Sequence, residues 1–462
     1  MVAVKPRREV NLTEGPFLKK IAFFILPILF TGLLQSFYNS ADLAIVGHFR
    51  GDLALAAVGS TGSITNLTVN FFMGLSVGAG VILANAIGAM DLVMARRTVH
   101  TATLLSFALG IVVMCIGIVG APYFLKWMGT PDTVIEGATL YMTIFFMGLP
   151  ASMLYNYCAT MVRSSGDARH PLLFLSISGA VNVLLNLFFV STCGMGVDGV
   201  ALATVISQYL SAVMIVVFMY RSEGSVQLRF KELRIDPSIA KRILRIGVPS
   251  GLQSTLFAFS NVLIQSSVNS LGDAVVAGSA AASNIDTWVY IACNSGYQAA
   301  IVFIGQNMGA RRYDNFKRII AASILCSVVI GITVSSIVLL APVTLLRVFI
   351  SDNPEVIQAG LDRLYVILPV YFLCGIMEVF SGVLRGMGKS LQSMIVALIT
   401  CCFFRVVWVN TVFYLSPSLK TIFVVYPITW GLALIVDVIL VARYMRGLLK
   451  QKQEDTELVV NK

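Results

Sequence analysis

Twelve apolar segments of membrane-spanning length succeed one another along the chain, at residues 17–47, 52–88, 98–124, 134–160, 170–192, 196–220, 243–269, 275–307, 316–345, 356–384, 391–415 and 420–445. About 20 apolar residues suffice for a helix to cross the hydrocarbon core of a bilayer, and only helices or closed barrels satisfy their backbone there. The pattern predicts an all-α membrane protein. A soluble domain is excluded by composition, since 57% of the 462 residues are hydrophobic and 12% are charged. The N-terminus carries no cleavage signature of a secretory leader, so the first helix is expected to be retained.

The formal charge of +10 is explained by its placement. With both termini cytoplasmic, the outer loops hold only Arg50, Lys126, Arg347 and Lys420, and Arg363 and Arg405 fall inside helices. The other Lys and Arg lie on the inner side, as the positive-inside rule requires. The basic stretch 221–245 then reads as a lipid-surface anchor rather than a nucleic-acid site, and no nucleic-acid partner is expected. The eight cysteines show no CxxC spacing and the three histidines are scattered. No metal site, cofactor or enzymatic activity is expected, and an HExxH motif, which would suggest metal-dependent catalysis, is absent.

Asp42 stands out because a carboxylate at the centre of a membrane helix costs roughly 2.5–3.5 kcal/mol. Asn39, Tyr38 and Gln35 precede it by three, four and seven residues and share its face, which must look into a polar cavity rather than lipid. Asn182 and Asn186 form a one-turn pair that either lines such a cavity or holds helices together.

The halves repeat. Pro27 aligns with Pro249 (249 − 27 = 222), Arg163 with Arg385 and Gly166 with Gly388 at the same offset, and Gly88 with Gly309 at one residue less. Six helices per copy return the chain to its starting side, so the copies are parallel and related by an axis along the membrane normal. The expected organisation is an N-terminal cytoplasmic segment (1–16), two pseudo-symmetric six-helix lobes (17–220 and 243–446), a cytoplasmic linker (221–242) and a disordered cytoplasmic tail (447–462). Such lobes suit alternating access to a central cleft.

The stretches YNSADLAIVGHF (38–49), LALAAVGS (53–60), RSSGDARHP (163–171), GVALAT (199–204), AASNIDTWVY through GQNMGA (281–310) and EVFSGVLRGMGKS (378–390) together resemble the multidrug and toxic compound extrusion (MATE) transporters. The resemblance implies a monomeric, multi-pass plasma-membrane antiporter that exports organic, lipophilic cations in exchange for H+ or, less favoured, Na+. It casts Asp42 as the ion-coupling carboxylate, in a pocket with Gln35, Tyr141, Asn156, Asn182 and Thr204. The family's common second acid, one turn after Asn182, is here Asn186; the acids of the sodium-type branch are replaced by Phe257 and Cys374.

The C-terminal half offers its own polar candidates: the stripe Asp286, Tyr290, Asn294 and Gln298, the pair Asn261 and Gln265, and Glu378 and Asp437 with Arg405 as a base able to neutralise one of them. Aromatic walls for a cation are expected from Tyr38, Tyr141, Trp288 and Tyr290. A flippase for lipid-linked saccharides or other lipids is the alternative, and it would want a cationic cavity for pyrophosphate.

Overall fold

The computed structural model describes residues 11–350 and 353–460. Those residues form long helices and no β-strand: α1 (Phe17–Gly51), α2 (Leu53–Gly88), α3 (Leu92–Trp127), α4 (Asp132–Ser164), α5 (Arg169–Thr192), α6 (Val197–Arg221), α7 (Pro237–Asn269), α8 (Asp273–Gly309), α9 (Tyr313–Leu340), α10 (Pro354–Gly386), α11 (Ser390–Phe413) and α12 (Leu419–Val460). Ten of them are long and apolar enough to cross a membrane. The other two, α7 and α8, cover the expected segments 243–269 and 275–307 and are long enough, but they are too polar to meet the same hydropathy measure. At bilayer depth such helices must turn their polar residues toward protein or water.

The repeat is written into the backbone. Gly51, at φ 75°, separates α1 from α2, and Gly272, at φ 102°, separates α7 from α8. At the ends of α4 and α10, Gly166 and Gly388 take the left-handed conformation; the Asp167 and Lys389 amides reach back to Val162 and Leu384 oxygens, closing matching Schellman turns. Met90 and Arg311 end α2 and α8 in the same way, although each is a side-chain-bearing residue.

By contacts the chain divides into two compact units. Unit 1 contains Phe30–Gly251, and unit 2 contains Leu12–Leu29 together with the chain from Leu252 onward. These limits differ from lobes at 17–220 and 243–446 because the first stretch of α1 belongs with unit 2 and that of α7 with unit 1. In unit 1, α2 and α7 approach through glycines, so that a Cβ on Gly78 would lie 2.2 Å from the Ile243 carbonyl oxygen. In unit 2, Phe24 of α1 meets Phe303 of α8 edge-on at 5.7 Å, and Asn307 donates to the Leu12 carbonyl at 3.0 Å.

Two other expectations change. The linker is docked: the Arg229 amide donates to His100 Nε2 at 3.0 Å, the Asp236 amide to Thr101 Oγ1 at 3.1 Å, and Arg97 pairs with Asp236. A cavity of about 580 Å³ lies beneath it, lined by Arg96, Arg97, His100, Lys231 and Arg234 among others. The tail expected to be disordered instead continues α12 to Val460, with Asp455 facing Arg311 at 3.4 Å, Lys452 paired with Asp314 and an intrahelical Lys450–Glu454 contact at 3.7 Å. Residues 1–10 of the expected N-terminal segment, and residues 461–462, lie outside the described residues.

Candidate functional site

In unit 1, α1, α5 and α6 bring four of the expected polar residues together. One helical turn separates Asn182 from Asn186, which puts both on the face of α5 that meets α1 and α6. Asn186 Nδ2 donates to Asp42 Oδ1 and, at 3.3 Å, to Asn182 Oδ1. Asn182 Nδ2 donates to Thr204 Oγ1 at 3.5 Å, and Thr204 Oγ1 lies 3.4 Å from Asp42 Oδ2 and 3.0 Å from the Val200 carbonyl. The donors converge on the carboxylate, as a charged Asp42 requires. Asn186 Oδ1, by contrast, is buried and has no partner among the described residues. Rotating that amide by half a turn would present the oxygen to Asp42, which suits a carboxylic acid with a proton to donate. An asparagine can therefore serve Asp42 in either protonation state.

The other candidates of this unit make no hydrogen bond to that cluster among the described residues, although the charge of Asp42 acts on Tyr141. Tyr38 donates to the Ser176 carbonyl at 3.2 Å, and its ring fills the space a side chain at Gly179 would need. Tyr141 is buried and stacked on Phe145 with centroids 6.3 Å apart. Asn156 donates to the Ser152 carbonyl of its own helix at 2.8 Å. Gln35 is half-buried and Asn39 exposed, and neither is hydrogen-bonded to Asp42 among the described residues.

In unit 2 the partners differ from those expected. Asp286 does not continue its stripe; it pairs with Arg363 of α10 at 2.8 Å, and Arg363 also donates to Ser279 Oγ at 3.0 Å and lies over the Phe423 ring at 4.7 Å. The rest of the stripe bonds along α8, Gln298 to Asn294 and Asn294 to Tyr290, each at 3.4 Å. Trp288 lies near Phe349 with centroids 6.4 Å apart. Gln265 donates to Asn269 at 2.9 Å rather than engaging Asn261.

Among the described residues Arg405 forms no ion pair with Glu378 or Asp437. Its Nη1 donates to Asn261 Oδ1 at 3.2 Å and Ser260 Oγ at 3.4 Å, and its guanidinium lies 4.1 Å from the centre of the Tyr426 ring. The basic group that acts electrostatically on both Glu378 and Asp437 is Arg385, which donates to the Tyr297 hydroxyl. Around Arg405 the helix α11 is not regular: π-helical turns at Leu398–Phe403 and Val409–Phe413 flank it, and α5 carries one at Phe188–Thr192. Arg363 was missed as a partner, although an arginine inside an apolar segment was itself the signal to look for a buried acid; Arg385, one residue past the expected segment 356–384 and counted with the inner-side charges, is instead 5% exposed near the end of α10.

Comparison with known proteins identifies the family. The MatE family profile matches residues 27–188 and again 249–409, so the two matches start at the repeated prolines. The probable multidrug resistance protein YoeA of Bacillus subtilis is 26% identical over 445 residues, covering 94% of this chain and 95% of that protein. YpnP of the same organism, also named a probable multidrug resistance protein, is 28% identical over 401 residues, covering 85% and 88%. An outward-facing structure of a multidrug resistance MATE family transporter superposes with a TM-score of 0.90 at 22% identity, covering 97% of this chain and 100% of that one.

Proposed function

Because the chain belongs to the MatE family, whose profile covers most of both halves, we propose that it is a multi-pass cell-membrane antiporter that exports organic, lipophilic cations. In this reading all twelve long helices span the bilayer, in two lobes with both termini cytoplasmic, and the monomer works by alternating access. The names of the relatives support multidrug efflux, and the coupling ion is taken to be H+ in preference to Na+. Catalysis plays no part in the cycle.

The observation that carries the reading is the Asp42 cluster. A carboxylate with no cationic partner among the described residues, wrapped by Asn186 and Thr204 donors, is a group whose charge is free to be used. Charged, it attracts an organic cation; protonated, it loses that attraction and its neighbours lose their acceptor. Exchange of a proton for a cation at one carboxylate is thus mutually exclusive, which is the requirement of antiport. The Asn186 amide, able to turn its oxygen or its nitrogen toward Asp42, keeps the neutral state from leaving a buried group unpaired.

Proteoliposomes loaded with a fluorescent lipophilic cation test this reading, under an imposed pH or Na+ gradient, for wild type and Asp42→Asn. Efflux driven by the pH gradient alone and abolished in the variant is the expected result. Efflux driven by Na+, or a variant as active as wild type, would refute proton coupling at Asp42. No cation movement under either gradient would refute the multidrug reading.

A further inference from the structure

We propose that unit 2 carries an anion subsite centred on Arg405, which receives the acidic group of a zwitterionic cargo. The proposal deepens the transport reading above and rests on it. Arg405 is 2% exposed, yet among the described residues both its hydrogen bonds leave from Nη1 and its buried Nε has no partner. A guanidinium offers five N–H donors in a planar fork shaped for a carboxylate. No carboxylate pairs with it among the described residues: Asp286 is held by Arg363, while Glu378 and Asp437 respond to Arg385. The titratable groups on which its charge acts are the thiols Cys374, Cys401 and Cys402, from α10 and α11. A cation at membrane depth that has the Tyr426 ring and two neutral acceptors but no carboxylate is costly, and a role in packing alone would be better filled by methionine or leucine.

The cover over this group looks replaceable. Asn261 is exposed and Tyr426 half-buried, and the Asn261 amide oxygen accepts from both Arg405 Nη1 at 3.2 Å and the Tyr426 hydroxyl at 3.2 Å. One neutral oxygen thus stands where a carboxylate oxygen would gather the same two donors with full charge. The repeat sharpens the point. Asn261, Arg405 and Tyr426 correspond to Asn39, Val183 and Thr204 (261 − 39 = 405 − 183 = 426 − 204 = 222), and Asp42 corresponds to Ile264. Where the first copy has built a cluster around an acid, the second has built one around a base.

A matched pair of dyes tests the subsite: rhodamine 123, a cationic methyl ester, and rhodamine 110, its zwitterionic free acid. Efflux of each is measured in proteoliposomes for wild type, Arg405→Met and Asn261→Asp, the last of which supplies Arg405 with an internal carboxylate and so keeps its charge compensated. Wild type is expected to export both, and each substitution to lower the ratio of free-acid to ester export at least tenfold, with Asn261→Asp raising the melting temperature. Wild type exporting the ester but not the acid, or an unchanged ratio in both variants, would overturn the subsite while leaving the cation reading in place. If wild type exports neither dye, the cation reading fails, and the subsite is judged by benzoate alone: a melting temperature raised in wild type but not in Arg405→Met upholds it, and equal responses overturn it.

Discussion

Replacing Asp286 and Arg363 separately and together decides whether Asp286 belongs to transport or to folding. The two side chains are 8% and 11% exposed and their charged atoms lie 2.8 Å apart. Arg363 is further fixed by Ser279 and by the Phe423 ring, so neither charge has water to fall back on when the other is removed. Breaking such a buried pair typically costs about 3–5 kcal/mol, whereas exchanging both members for apolar residues of similar volume is nearly neutral. Asp286→Leu and Arg363→Met are each expected to lose about 3–5 kcal/mol, and the double variant far less than either. For a domain of this size each kcal/mol moves the melting temperature by roughly 2–4 °C, so the single variants should melt about 6–20 °C below wild type. Thermal unfolding of the purified protein in detergent, with cation efflux measured in parallel, provides the cycle. The double variant should recover both stability and transport. Additive losses would refute the ion-pair reasoning, and a stable double variant without transport would move Asp286 into the transport machinery.

Asn186→Asp places a second acid beside Asp42; wild-type exchange is expected to be indifferent to membrane potential, whereas the variant, moving a second proton, should gain about 2.3 kcal/mol per 100 mV, read as efflux under a potassium-diffusion potential. Gly78→Ala would set a methyl 2.2 Å from the Ile243 carbonyl oxygen and 2.9 Å from the Gly247 nitrogen, and should cost at least about 1–3 kcal/mol in a thermal melt, because backbone on both sides leaves no route for relief. Hydrogen bonds from Ser238 and Arg97 hold the Asp236 carboxyl well below the usual carboxylate range. A carboxyl depressed in the folded state stabilises above its unfolded value near pH 4, and the gain disappears as pH falls through the folded value; the melting-temperature gap between wild type and Asp236→Asn should accordingly close below about pH 4.

Most of the helices could be read from hydropathy because lipid-facing residues must be apolar whatever the tertiary structure. The repeat was legible for a different reason: Gly166 and Gly388 occupy left-handed turns that tolerate few other residues, so the same letter recurs at the same offset. Asp42 with Asn182, Asn186 and Thr204 was assembled from intramembrane polarity and family resemblance, and those four side chains do meet. What spacing alone does not reveal is pairing between helices far apart in sequence. Asp286 and Arg363 lie on α8 and α10, and nothing in either segment names the other. The helical tail beyond residue 446 was misjudged because its polar letters were weighed without the charged residues of a distant turn, Arg311 and Asp314, that face it.

The two π-helical turns around Arg405 also bear on how this polarity arose. Each such turn amounts to one residue slipped into a helix, swinging everything beyond it by about 100° around the axis. A face can thus be changed without replacing the residue that ends up on it. In α11 one turn lies just before Arg405 and the other just after, so the arginine occupies a short window of helix whose orientation is separable from its flanks. A lineage carrying this chain could gain or lose the buried base by a single insertion or deletion, with α10 and α12 left untouched. Selectivity in the second copy would then evolve by indexing a helix, while the first copy, whose Asp42 sits in an unbroken α1, would have to change it by substitution.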